Sequence, residues 1–288
     1  MVKKIKISAN YDSSENLTNR LIRQFKTTEI NLNDVEFVYD DSYDIIVFFN
    51  HMTGTVPDNK KGYIFPHEPS WSGTHQKGGT SDNVTIFGFN DGIYSGNFIK
   101  NIAHTFYGGR GPWVDPLDFW CYDNLKDFTS EKNKDISSSI TELKEDYGTT
   151  CLYPQRYEIN KLVSTLNFID YYGGGDCSPK RQDSLINYKF NLAIENEYQD
   201  NWVSEKFYDS ILTETIPIYY GCKNIRDIYP EDGYILINDI NNIEEIKELL
   251  THIKNNSEEI YNQKINGLRQ IKKRYFQEFN LLKKIIEL

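Results

Sequence analysis

The chain of 288 residues is long enough for one large or two ordinary cores, with 39% hydrophobic and 14% aromatic side chains. Its formal net charge of −10, from 42 acidic against 32 basic residues, removes the electrostatic ground for nucleic-acid binding. A small anionic ligand remains compatible, because it needs only a few well-placed cations. No apolar run approaches the roughly 18 residues of a membrane span, and "MVKKIKISANY" lacks the apolar centre of a signal peptide. Cys121, Cys151, Cys177 and Cys222 form no C-x-x-C pair, so unpaired thiols in a reducing, cytoplasmic compartment are expected.

"KKIKIS" alternates toward Ile5 and Ile7 and predicts a first strand; "SSENLTNRLIRQF" predicts a helix capped by Ser13 or Ser14, with Leu17, Leu21, Ile22 and Phe25 on one face. "VEFVYD", "YDIIVFFN", "GYIFPHEP" and "VTIFGFN" predict further strands, the second apolar enough to be buried on both faces. The stretch from Gly92 to Lys134 is irregular, punctuated by Gly108, Gly109, Gly111, Pro112 and Pro116, and a domain boundary is expected near residue 130. Beyond it "DISSSIT", "IDYYGGGD", "YKFNLAIEN", "TIPIYYG" and "YILIND" predict strands. "YPQRYEINKLVSTLN" and "SEKFYDSILTE" predict intervening helices, and the chain from Ile243 onward is helical. Strands alternating with helices predict two parallel α/β units, residues 1–130 and 131–288, facing across a cleft. Ligands of such sheets bind outside the carboxyl ends of the strands.

Several residues fall at those ends. The run "YKFNLAI" stops at Glu195 and Asn196, a polar loop is expected after it, and Ser204-Glu205-Lys206 opens a helix. A helix amino end with a lysine in its first turn favours phosphate, while Glu205 is expected to point away from phosphate, toward ribose hydroxyls. Arg156, near the start of another helix, would complete a two-cation clamp for a pyrophosphate. "GGGD" at Gly173–Asp176 lacks the spacing of a phosphate-binding loop and predicts a tight turn. In the first unit Glu68 follows a strand between Pro66 and Pro69, a stiffened position from which a carboxylate could take a proton. His67 is expected to pack. Asp40, Asp41 and Asp44 predict a solvated turn rather than a metal site.

These residues together resemble the α-1,3-fucosyltransferases of glycosyltransferase family 10. The resemblance rests on "YKFNLAIEN", "VSEK" and "TIPIYYG" in that order, with weaker support from "YPQRYEINKL" through "DYYGGG" and from "HEPSW". It implies a GT-B fold with the acceptor side first and the nucleotide-sugar side second, and inverting transfer of fucose from GDP-β-L-fucose to a glycan acceptor. By position, Glu68 matches the general base, and Arg156, Asn196, Glu205 and Lys206 match donor contacts. Trp202 stands where a tyrosine near the nucleotide is frequent. No obligatory metal or other cofactor is expected. Two other readings remain: transfer of another nucleotide-linked deoxysugar, or a non-catalytic module that binds nucleotide sugar or glycan. The segment 261–288 carries Ile265, Leu268, Ile271, Tyr275 and Phe279 at helical spacing, expected as core, with peripheral contact to a membrane surface through Lys272, Lys273 and Arg274 as the alternative.

Overall fold

Period-two burial of Ile5 and Ile7 fixes the first strand, and the elements that follow keep the expected order. The computed structural model describes residues 2–72, 78–79, 81–89, 94–95, 97–101, 119–141, 143, 145–173 and 181–288. Cys177, residues 174–176 of the glycine turn, and Gly108 to Pro116 of the irregular stretch lie outside the described residues.

Six strands form the first sheet: β1 (Lys3–Ser8), β2 (Val35–Phe37), β3 (Ile45–Phe49), β4 (Lys61–Phe65), β6 (Val84–Gly88) and β8 (Asn97–Lys100), in the order β2-β1-β3-β4-β6-β8 with all pairs parallel. A two-residue ladder joins β5 (Gly78–Gly79) to β7 (Tyr94–Ser95). Every residue of β3 is buried. Ile45, Val47 and Phe49 enter the main core, while Ile46 and Phe48 meet Ile64 and Ile86 on the opposite face. Helix α1 (Ser14–Phe25) starts at Ser13, whose hydroxyl accepts from Asn16 N at 3.2 Å, and buries Leu17, Leu21 and Phe25. The short helix α2 (Tyr122–Leu125) follows.

The second sheet contains β9 (Lys134–Ser138), β10 (Ile169–Tyr171), β11 (Tyr188–Gln199), β12 (Ile216–Cys222) and β13 (Ile235–Leu236), again all parallel, in the order β10-β9-β11-β12-β13. Helix α3 (Tyr153–Thr165) buries Ile159, Leu162 and Val163, and α4 (Glu205–Leu212) buries its apolar residues against the sheet's central strands. Two parallel α/β sheets are therefore present.

The central strand departs from the sequence reading. Glu195 and Asn196 do not lie beyond β11; the chain stays extended through Gln199. Two features sustain it. The pairing with β12 shifts register between Ile194 and Gln199, and Thr150–Leu152 lies alongside, with Leu152 N donating to Asn196 O at 3.1 Å and Tyr198 N to Thr150 O at 2.8 Å.

Helices α5 (Ile225–Ile228), α6 (Ile243–Asn255), α7 (Ser257–Glu278) and α8 (Leu281–Ile286) complete the chain. Ile265, Leu268, Ile271 and Tyr275 are buried against the body. Lys272 is buried and donates to Phe128 O at 3.2 Å, while Arg274 pairs with Glu278 at 2.8 Å, so the basic triplet is divided rather than presented as one face. Helix α8 crosses to the first unit. Leu281, Leu282 and Ile285 are fully buried, Asn280 Nδ2 donates to Phe25 O at 2.7 Å, and Lys3 Nζ to Ile286 O at 3.0 Å. Among the described residues, no helix is long and apolar enough to cross a membrane.

Candidate functional site

The carboxyl end of β11 and the start of α4 build a compact polar cluster. Glu195 is wholly buried, and its carboxylate accepts from Ser204 N at 2.8 Å, from Ser204 Oγ at 2.5 Å and from Tyr219 OH at 3.3 Å. Gly221 makes room for it: a Cβ there would stand 2.2 Å from Glu195 Cγ, on a backbone at φ +154°. Ser204 also caps α4, accepting from Lys206 N at 3.3 Å. The Lys206 ammonium lies 2.8 Å from Glu205 and 3.9 Å from Glu195.

Charge in this cluster is mutually dependent. Burial opposes the Lys206 charge, yet Glu205 and Glu195 raise its proton affinity above the ordinary lysine value. Burial likewise opposes the Glu205 charge, but the Lys206 charge and hydrogen bond hold that carboxyl below its usual range. Burial dominates at Glu195 and pushes it up. Glu205 is thus paired directly with Lys206.

Arg156, in the first turn of α3, is buried and its guanidinium lies 5.4 Å from the Tyr153 ring. Burial lowers its proton affinity, opposed by Tyr153, Glu195 and Glu205, and Arg156 in turn acts on Lys206. The two cations expected to form a clamp are therefore neighbours. Arg156 Nε and Asn196 Oδ1 are buried and lack hydrogen-bond partners among the described residues, and the Asn196 side chain also bonds Tyr153. Such atoms are costly unless something polar meets them. Arg181, which the sequence did not single out, binds the buried Asp209 of α4 at 3.0 Å and bears on Glu205.

Trp202 is placed differently from Arg156 and Lys206. Its indole is buried and packs on Phe89 of the first unit, with centroids 4.8 Å apart, and Asn201 Nδ2 donates to Phe89 O at 3.3 Å. The ring sits in the junction between the units, and its Nε1 lacks a hydrogen-bond partner among the described residues.

From the first unit, Glu68 faces this cluster. Its side chain reaches solvent, but enough protein flanks it to cost hydration. That burial, with the Glu205 charge, raises its carboxyl above the usual range, while Lys206 opposes. Tyr11 feels the charges of both Glu68 and Arg20, and Arg20 also feels Asp209 of α4. His67 packs on Phe49 with ring centroids 4.3 Å apart, as expected, and its amide donates to Asn50 Oδ1 at 2.6 Å.

The loop carrying Glu68 is held by residues the sequence did not flag. Ser70 N donates to Glu197 of β11 at 2.9 Å, and Trp71 stacks on Tyr147 with centroids 4.7 Å apart. No local pattern announces these contacts. Glu195 had a signal, a charge closing an apolar run, but its role as an anchor for Ser204 depends on the fold.

Among the described residues, no group of three or more His, Cys, Asp or Glu is placed to hold a metal ion. Asp40, Asp41 and Asp44 act separately: Asp40 accepts from Ser42 N at 2.9 Å, Asp41 from Lys6 Nζ at 3.0 Å and Asp44 from Lys4 N at 2.9 Å.

A sequence profile described as glycosyltransferase family 10 (fucosyltransferase) C-term matches residues 130–274. The chain is 32% identical over 139 residues to an alpha-(1,3)-fucosyltransferase, FucT, of Helicobacter pylori, covering 44% of this chain and 29% of that protein. It is 35% identical over 86 residues to alpha-(1,3)-fucosyltransferase B of Drosophila melanogaster, covering 30% of this chain and 19% of that one. The matched stretch therefore spans less than a third of either relative. Among solved structures, an alpha1,3-fucosyltransferase with GDP-fucose superposes with a TM-score of 0.53 at 13% identity, covering 91% of this chain and 81% of that one. A DNA-modifying beta-glucosyltransferase superposes with a TM-score of 0.52 at 12% identity, covering 99% and 100%. These likenesses identify the two-unit architecture as GT-B.

Proposed function

Because the chain belongs to glycosyltransferase family 10, the fucosyltransferases, we propose that it transfers L-fucose from GDP-β-L-fucose to a hydroxyl of a glycan acceptor, inverting the anomeric centre. One observation carries the reading: Arg156, Asn196 and Lys206 converge at the end of one sheet while Glu68 faces them from the other. Leaving-group stabilisers and a base on opposite sides are what a single displacement requires.

The acceptor hydroxyl gives its proton to Glu68 as its oxygen attacks the anomeric carbon. The bond from that carbon to the β-phosphate oxygen breaks, and GDP leaves with the electron pair. Arg156, Lys206 and the amino end of α4 meet the charge that develops there. Asn196 would hydrogen-bond the donor, Glu205 would turn from Lys206 to its ribose hydroxyls, and Trp202 would support that wall from behind. With two cations committed to the pyrophosphate, the reaction would proceed without an obligatory metal. Free thiols at Cys121, Cys151 and Cys222 suit a reducing, cytoplasmic setting.

Calorimetry with GDP and turnover against a panel of nucleotide sugars test the reading together. GDP should bind, and Arg156→Met should weaken it at least about tenfold. GDP-fucose should be the donor consumed. Preference for another nucleotide-linked deoxysugar would replace the sugar, and binding without turnover on any acceptor would leave a binding module.

A further inference from the structure

Transfer by this route needs the base of one unit held in register with a carbon held by the other, a requirement sensitive to displacements of about 1 Å. Glu68 sits on a loop leaving β4, so its register depends on what ties that loop across the cleft. The structure contains such a tie. Glu197, fully buried on β11, accepts from Ser70 N at 2.9 Å and from Thr150 Oγ1 at 3.1 Å, and the Ser70 hydroxyl also donates to it. Burying a carboxylate is unfavourable unless several donors meet it, and here Ser70 supplies two from the other unit. One residue further, Trp71 lies parallel to Tyr147 and edge-on to Tyr153 at 5.3 Å, and Tyr153 opens the helix that carries Arg156.

We propose that Glu197 is a positioning residue: through Ser70 it latches the loop of Glu68 onto the unit that binds the donor, and so sets the base against the sugar. Glu197 accordingly acts on the rate of transfer and not on donor affinity. Its rate readout rests on the fucosyltransfer reading above; its exchange readout does not.

The experiment compares Glu197→Ala, Glu197→Gln, Ser70→Ala and the double variant Ser70→Ala/Glu197→Ala in the full chain. Glu197→Ala and Ser70→Ala should each lower kcat about ten- to a hundredfold, with GDP affinity and donor KM within about threefold. Glu197→Gln retains an acceptor oxygen and should recover most of the rate. The double variant should be no slower than the worse single one, since both remove the same contact. Hydrogen exchange of peptides covering 66–72 should quicken in both alanine variants while exchange in β12 stays unchanged. Unchanged exchange in that loop, or an equal loss of GDP affinity and rate, would overturn the latch. If Glu197→Ala fails to fold, Ser70→Ala delivers the same readouts from the other side of the contact. If the unmodified protein turns over no nucleotide sugar, the functional reading fails, while exchange at residues 66–72 still decides the latch.

Discussion

Two strand ends face one another in this protein, and they are held in opposite ways. The end of β11 is stabilised by its own neighbourhood: Glu195 binds Ser204 nine residues later, and Ser204 caps the helix that carries Lys206. The end of β4 is stabilised from afar: Ser70 meets Glu197 across 127 residues of chain, and Asn50, at a left-handed φ of 71°, holds the His67 amide. A locally closed motif can bind its ligand by itself, whereas a loop held by its counterpart is positioned only when both units are assembled. Donor binding and proton removal should therefore separate under mutation.

The largest separation is expected from Glu68→Gln. The amide is nearly isosteric but cannot take the proton, so transfer should fall about 10²–10⁴-fold, while calorimetry should find GDP affinity within about threefold. Turnover near the unmodified rate would remove Glu68 from the chemistry.

On the other side of the cleft, Ser204→Ala removes a helix cap and the hydroxyl bond to Glu195 at once, while the backbone bond to Glu195 remains. A loss of about 1–3 kcal/mol in chemical denaturation is expected, with weakened GDP binding. A variant of unchanged stability would show that the β11–α4 junction is not locally held.

Acidity sharpens the contrast further. Burial and the Glu205 charge raise Glu68, and a general base works only when ionised. The acid limb of kcat/KM should therefore lie above the ordinary carboxylate range, with rate lost as pH falls through it. Removing the repulsion in Glu205→Gln should move that limb to lower pH; a limb that stays in place would uncouple the two strand ends.

The smallest effect is expected from chelation. With Arg156 within electrostatic reach of Lys206, transfer in EDTA should stay within about twofold if the two cations meet the leaving charge as proposed. Complete loss restored by Mn²⁺ would count against that clamp.

The same contrast explains what could be read from the amino acids alone. "YKFNLAIEN" and "VSEK" lie within one short stretch whose apolar periods and cap are written locally, so the strand, the helix and Lys206 were all visible. The extension of β11 to Gln199 was not, because it depends on a register shift against β12 and on the segment at Thr150–Leu152. Trp202 read as an aromatic near the nucleotide. Its packing on Phe89 could not be foreseen, because that partner belongs to the other sheet. Glu68 was visible through its flanking prolines, but Ser70, Trp71, Tyr147 and Glu197 carry no spacing signal, since their relation exists only in three dimensions.

Helix α8 has a further consequence for how the chain is made. Its Leu281, Leu282 and Ile285 are fully buried, and Asn280 satisfies the Phe25 carbonyl at the end of α1. During vectorial synthesis α1 emerges some 250 residues before this cover. Until residues 280–286 leave the ribosome, the side of α1 that packs on α8 stays uncovered, and that interval is when a nascent chain is most exposed to chaperones and to mispairing.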